Sequence, residues 1–242
     1  LPDSWCDRVM SLWSPPPDDA PRRLADLRVS YDTGALVESD LASSPLEQFR
    51  SWFEAAAQAG MPEPNAMVAS TAASGAQPSS RTVLLKDVDE RGFSFYTNLG
   101  SRKSSELGAS PGVSLVFPWF AMHRQVVVVG RAELIGRAEV EAYFASRPRG
   151  SQLGAWSSRQ STVIADRSML EDEYARLATQ YPEGTPIPAP DFWGGWLVRP
   201  ITVEFWQGRV SRLHDRLRFR AVADSSPSLA IPEDWVVERL SP

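Results

Sequence analysis

The feature that most constrains this chain is a series of short strand-like runs broken by hairpin-type turns. Residues 66–72, 80–86, 93–97, 113–117 and 125–134 are rich in Val, Phe, Tyr, Thr and other strand formers, and turn signals such as Ser74-Gly75 and Glu90-Arg91-Gly92 stand between them. That spacing predicts an antiparallel barrel rather than alternating βα units. Strands are expected again at 196–206, 209–220 and 235–240. Ser44-Pro45-Leu46-Glu47 has the form of a capping box, and Leu46, Phe49, Phe53 and Ala56 then recur at helical spacing until Gly60. Further helices are expected at 137–147, stopped by Pro148, and at 166–180, with Met169, Leu170, Tyr174 and Leu177 on the apolar face. The fold class is therefore mainly β with α (α+β), with helices packed outside a sheet.

Composition removes several functional classes. At 242 residues, 43% hydrophobic and 23% charged, the chain reads as one globular domain. A Pro/Asp segment at 14–21 sets off a short tail, so the expected division is a tail at 1–21 and a domain at 22–242. Proline-rich stretches at 181–190 and 225–232 read as long loops. Cys6 is the single cysteine, which leaves no intrachain disulfide and no thiolate metal cage, and His123 and His214 lie far apart in sequence. No metal site is expected. The net charge of -5 argues against a nucleic-acid coat, so any anion site must be local. Apolar stretches such as 126–129 fall far short of the roughly 20 residues that span a bilayer, and the N-terminus lacks the pattern of a signal peptide. A soluble, cytoplasmic protein is expected, with no membrane partner.

Several segments could carry chemistry. Arg81 and Lys86 bracket an apolar strand and, five apart, should face opposite sides of it, either as solvated strand ends or as two separate contacts. Ser101 looks like an N-cap that puts Arg102 and Lys103 in a helix's first turn, where the macrodipole disfavours cations by roughly 0.3–1 kcal/mol each. A phosphate on that helix end would explain them; a tolerant surface turn would serve as well. Tyr143 and Arg147 share a helix face, and Arg147, Arg149 and Ser151 could gather round a second phosphate or simply end a helix. In 209–220, Arg212, His214, Arg216 and Arg218 alternate with Leu213, Asp215, Leu217 and Phe219, giving one basic face or a solvated edge. Gln125, Gln160, Ser161 and Trp206 are of the type that frames a planar heterocycle, though aromatics more often belong to a core.

Taken together and in order, these segments resemble the pyridoxine/pyridoxamine 5'-phosphate oxidase family. The resemblance rests on EPNAM at 63–67, SRTVLLK at 80–86, FYTNLGSRK at 95–103, FPW at 117–119 and RQV at 124–126. It continues through YFASRPRGSQLGAW at 143–156, QS at 160–161, WGG at 193–195, EFWQG at 204–208, RLHDR at 212–216 and ERLSP at 238–242, and covers the chain from about Leu27 onward.

The resemblance implies an FMN-binding split antiparallel β-barrel, homodimeric, with two FMN sites at the subunit interface. It implies that FMN contacts Arg81, Thr82, Val83, Leu84, Leu85, Lys86, Tyr96, Thr97, Arg102, Lys103, Gln125, Gln160, Ser161, Trp206 and Arg216. It implies that the substrate, pyridoxine 5'-phosphate or pyridoxamine 5'-phosphate, contacts Lys86, Tyr143, Arg147, Ser151, Arg212 and His214, with Arg28 to Tyr31 closing over it. The expected reaction passes a hydride from the substrate's C4' to flavin N5. Dioxygen then takes the electrons as hydrogen peroxide, and pyridoxal 5'-phosphate is released, with ammonia from the amine substrate. Arg212 and His214 are expected at the reactive face as the catalytic pair, since histidine exchanges protons near neutral pH. The competing readings are an FMN oxidase of the same barrel acting on a phenazine-type precursor, a deazaflavin-dependent reductase, and a non-catalytic flavin- or pyridoxal-phosphate-binding protein.

Overall fold

A computed structural model describes residue 31, residues 34–223 and residues 226–242. The body that follows is the compact unit Asp32–Pro242. Its strand-like runs pair as a nine-stranded sheet: β1 (Ala66–Thr71), β2 (Ser79–Leu84), β3 (Asp87–Asp89), β4 (Gly92–Asn98), β5 (Gly112–Trp119), β6 (Arg124–Leu134), β7 (Trp193–Gln207), β8 (Asp215–Ala221) and β9 (Trp235–Arg239). The order is β2-β1-β5-β6-β7-β4-β3, with β8 on β7 and β9 on β8, and every pairing is antiparallel. The long β7 splits the sheet: β6 runs along one edge, while the other edge pairs first with β4 and then with β8. The expected α+β class, a curled antiparallel half-barrel with helices, is what forms.

Most strands turn one face inward. Met67 and Ala69 on β1, Leu115 and Phe117 on β5, and Val126 and Val128 on β6 are buried, as period-two alternation requires. Helix α1 (Pro45–Gln58) covers this face, entered through Ser44, whose Oγ accepts the Glu47 amide at 3.3 Å. Its Phe49 meets the rings of Phe93 and Phe117 at 4.9 and 5.0 Å, both edge-on, and Trp52 meets Phe205 at 5.2 Å. Where β6 shifts register at Val129/Gly130, a Cβ on Gly130 would lie 2.2 Å from the Arg199 carbonyl oxygen, so only glycine permits the strands to approach.

Four more helices complete the body: α2 (Arg102–Ala109), α3 (Arg137–Ser146), α4 (Arg149–Ser157) and α5 (Ser168–Gln180). Val140, Phe144, Leu153, Leu177 and Ile187 form a second apolar cluster that seats α3, α4 and α5 against Trp193, the first residue of β7.

Two expectations are corrected and one unexpected element appears. Residues 149–157, for which no element is expected, form helix α4, because buried Leu153 and the bond from Gln152 Nε2 to the Phe144 carbonyl at 2.9 Å outweigh two glycines of poor helix propensity. Residues 209–220 are not one strand: Ser211 and Arg212 adopt left-handed φ of 56 and 61°, a 3-10 turn spans Val210–Arg212, and β8 begins only at Asp215. Arg212 and His214 therefore do not share a strand face. Finally, β2 ends at Leu84, and the chain bends where Asn65 O accepts the Leu85 amide and Ser94 O the Lys86 amide. Arg81 and Lys86 consequently do not face opposite sides of one strand.

Candidate functional site

A cavity of about 960 Å³ lies along the outer edge strand β2, closed by β4, the N-terminus of α2, the α3–α4 corner and residues 160–161. Its volume suits a cofactor-sized ligand. Arg81 reaches back from β2, its NH1 donating to Ala69 O at 3.1 Å and Thr71 Oγ1 at 2.6 Å, while its NH2 donates to Ser79 Oγ. Lys103, in the first turn of α2, is 7% exposed, and its Nζ donates to Gln160 Oε1 at 2.7 Å and Thr97 Oγ1 at 2.9 Å. Burial, and then the Arg81 charge, bring its pKa down to about 8. The first amide of α2 does not await an anion, since Ser161 Oγ accepts the Arg102 N–H at 3.2 Å. The cations, rather than the bare helix end, define this part of the site.

The other wall is aromatic and carries a second cation. Tyr96 and Tyr143 stack at 4.1 Å, and Trp193 lies parallel to Tyr96 at 5.5 Å. Gly195, opposite Tyr96 in the β4–β7 ladder, makes room for the stack, because a Cβ there would sit 2.8 Å from Tyr96 ring atoms. Burial raises the Tyr96 hydroxyl to a pKa of about 12. Arg147, just past α3, lies 4.8 Å over the Trp193 ring, and burial lowers its pKa. Its NH1 is buried and has no hydrogen-bond partner among the described residues, a costly state that an anionic oxygen would relieve. Ser151 of α4 faces the same cavity. Arg149 does not, since it donates to the Tyr181 carbonyl instead.

Of the residues named from sequence, Arg81, Thr82, Val83, Leu84, Lys86, Tyr96, Thr97, Arg102, Lys103, Tyr143, Arg147, Ser151, Gln160 and Ser161 all border this one cavity. Leu85 is turned into the core. Gln125, Trp206, Arg212, His214 and Arg216 lie outside the cavity. Three of these form a row, with Gln125 opposite Trp206 and Trp206 opposite Arg216 across β6, β7 and β8. His214 sits 4.6 Å from the Trp206 ring, and its Nδ1 accepts the Arg209 amide at 3.1 Å. Burial and then Arg212 lower its pKa. The expected basic face is largely neutralised, since Arg216 pairs with Glu204 at 2.7 Å and Arg218 and Arg220 with Glu238 at 2.6 and 2.7 Å. Arg28 lies outside the described residues, and Tyr31 belongs to the separate unit Leu1–Tyr31.

Sequence reading missed Thr71, Ser79 and Glu106, and gave Trp193 of the WGG string no role of its own. Only Glu106 left a local signal, four residues after Arg102 on one helix face, and it pairs with Arg102 at 2.8 Å.

The fold is an antiparallel half-barrel whose cavity is lined by two groups of cations and an aromatic stack. A family model described as pyridoxamine 5'-phosphate oxidase matches residues 53–188, and one described as pyridoxine 5'-phosphate oxidase C-terminal dimerisation region matches residues 193–242. The chain belongs to the pyridoxamine 5'-phosphate oxidase family, a family of FMN-dependent oxidoreductases. A protein of Salinispora arenicola named pyridoxine/pyridoxamine 5'-phosphate oxidase is 57% identical over 220 residues, covering 90% of this chain and 96% of its own. One of the same name from Streptomyces avermitilis is 54% identical over 222 residues, with the same coverage of 90% and 96%. Among solved structures, PhzG of Burkholderia lata in complex with tetrahydrophenazine-1-carboxylic acid matches with a TM-score of 0.78 and 28% identity, over 88% of this chain and all of that one.

Proposed function

We propose that this chain is an FMN-dependent pyridoxine/pyridoxamine 5'-phosphate oxidase that works as a cytoplasmic homodimer, with residues 22–242 as the oxidase domain and residues 1–21 as a tail. The observation that carries the reading is the single cavity with two cationic ends, one of them holding a buried, unpartnered guanidinium N–H of Arg147. Two phosphates, one on the cofactor and one on the substrate, match that chemistry in a chain of net charge -5. FMN, when bound, supplies a two-electron acceptor that dioxygen restores, with hydrogen peroxide as by-product.

The chain's own residues then bind and orient. Arg81, Arg102 and Lys103 hold the cofactor phosphate, while Thr97, Gln160 and Ser161 hold the lysine and the helix end in place. Arg147 and Ser151 take the substrate phosphate, and Tyr143, stacked on Tyr96, supports the pyridine ring. Lys86 borders the same space and carries a contact to both ligands. Gln125, Trp206, Arg212, His214 and Arg216 complete the site from a second copy of the chain. Support for this comes from their exclusion from the cavity on their own chain and from the dimerisation region that contains all but Gln125.

His214 and Arg212 are assigned to the substrate's reactive face. Because Nδ1 accepts the Arg209 amide, the neutral ring carries its proton on Nε2, and burial beside Arg212 keeps the ring neutral. Arg212 beside it supplies fixed charge.

An oxygen-uptake assay with pyridoxamine 5'-phosphate, with and without added FMN, tests the reading. Uptake that depends on FMN and is much weaker with unphosphorylated pyridoxamine is expected; equal rates on both amines, or no uptake, would refute it. The likeness to PhzG supports a second reading, oxidation of a reduced phenazine acid, which carries a carboxylate and no phosphate. Under that reading tetrahydrophenazine-1-carboxylic acid would be turned over in preference to either amine.

A further inference from the structure

We infer that Glu106 is a positioning residue for the cofactor phosphate, pinning Arg81 and Arg102 so that both guanidinium groups converge on one anion; this rests on the FMN reading above. Glu106 lies on α2 with its side chain 8% exposed, and it does not itself border the cavity. Its Oε2 accepts Thr71 Oγ1 at 2.5 Å from β1 and Ser79 Oγ at 2.6 Å from β2, and lies 3.5 Å from Arg81 NH2. Its Oε1 accepts Arg102 Nε at 2.8 Å. One carboxylate thus ties two strands and a helix to the two arginines that do border the cavity.

The arrangement has a consequence for each cation. Arg81 is held on both terminal nitrogens by Ala69, Thr71, Ser79 and Glu106, so its charge is fixed in place. The Arg102 side chain is 59% exposed and would otherwise wander in solvent. Anchored through Nε, it presents its terminal amines as a fork for an oxyanion. Arg81 already disfavours the charge on Lys103, so three cations without a counter-charge would spread apart. The Glu106 oxygens are spent on four donors, which stand between this carboxylate and a ligand in the cavity. Its ordering of the cations therefore outweighs its repulsion of a phosphate. Glu106 is held ionised, with a pKa of about 2, chiefly by the Ser79 and Thr71 hydroxyls.

Binding of FMN and of riboflavin, which lacks the phosphate, to the apoprotein tests the inference through quenching of flavin fluorescence. Glu106→Gln, neutral and of the same shape, should weaken FMN binding about tenfold or more, the size expected for charged hydrogen bonds, and leave riboflavin binding within about twofold. Inorganic phosphate should also compete less well against FMN in that variant. Glu106→Asp keeps the charge but cannot span from the strand hydroxyls to Arg102, so it should lose FMN binding to a smaller degree. If the glutamine variant does not fold, the aspartate variant decides by its FMN-to-riboflavin ratio. An unchanged or raised FMN affinity, or equal losses for both flavins, would overturn the role of Glu106. A wild-type protein that fails to prefer FMN over riboflavin would instead overturn the cofactor reading itself.

Discussion

If Lys103 holds the FMN phosphate as proposed, its burial makes FMN binding sensitive to pH in a direction that can be worked out. Its ammonium is buried, caged by Gln160 and Thr97, and titrates near 8 rather than at its ordinary 10.5. At neutral pH it is charged and attracts a phosphate dianion; above about 8 the apoprotein sheds this proton, and binding must take it up again. One proton taken up makes the FMN dissociation constant rise about tenfold for each pH unit above 8, so about tenfold between pH 7 and pH 9. Titrating FMN into apoprotein at pH 7, 8 and 9 measures this, with riboflavin as the phosphate-free control and Lys103→Arg as the variant whose charge does not titrate. Riboflavin and the arginine variant should both be flat. The stability of the apoprotein should move the other way. A lysine whose folded pKa lies below its unfolded value destabilises the fold while charged, so stability should rise from pH 8 toward 10.5, by about 3 kcal/mol at about 1.4 kcal/mol per pH unit. An FMN affinity that is level from pH 7 to 9, or that falls in parallel with riboflavin, would refute the reasoning.

Three further outcomes follow from packing. Trp193→Leu removes the ring under Arg147 and should raise KM for pyridoxamine 5'-phosphate by about 5–30-fold, the worth of about 1–2 kcal/mol of cation–π contact, with kcat little changed. A fall in kcat at constant KM would contradict that role. Gly195→Ala forces a Cβ to within 2.8 Å of Tyr96 and should destabilise the protein by about 1–3 kcal/mol while weakening flavin binding, read together from thermal melts and flavin titration. Phe49→Ala empties the centre of the aromatic core and should cost about 3–5 kcal/mol in denaturant unfolding, with the flavin preference of the folded fraction unchanged.

What could be read from the sequence divides along a physical line. Helix α1 was legible because its cap, its proline and its apolar period all lie within fourteen residues, and most of the sheet was legible because hairpin strands announce themselves locally. Helix α4 was not, since its stability comes from Leu153 and Gln152 meeting α3 and α5 rather than from its own glycine-rich string. The alternation RLHDRLRFR reads as a strand, yet nothing in side-chain order reveals that Ser211 and Arg212 take left-handed backbone. The site shows the same limit more sharply. Arg102 and Lys103 stood out as cations misplaced against a helix dipole, but Glu106 gains its meaning only where Thr71 and Ser79, 35 and 27 residues away, close on it. Periodicity cannot reach that far, and the family resemblance supplied a membership of residues without their geometry. That membership contained two groups that one chain does not bring together: those around the cavity, and Gln125, Trp206 and Arg216 in a row across three strands. A sequence describes one copy, so residues that share a site only across a symmetry axis look like scattered, unrelated motifs. A split of this kind is what a homodimeric active site predicts. Mixing a Lys103→Met chain with an Arg216→Ala chain should then restore FMN binding at one of the two sites of the mixed dimer, while each variant alone binds poorly.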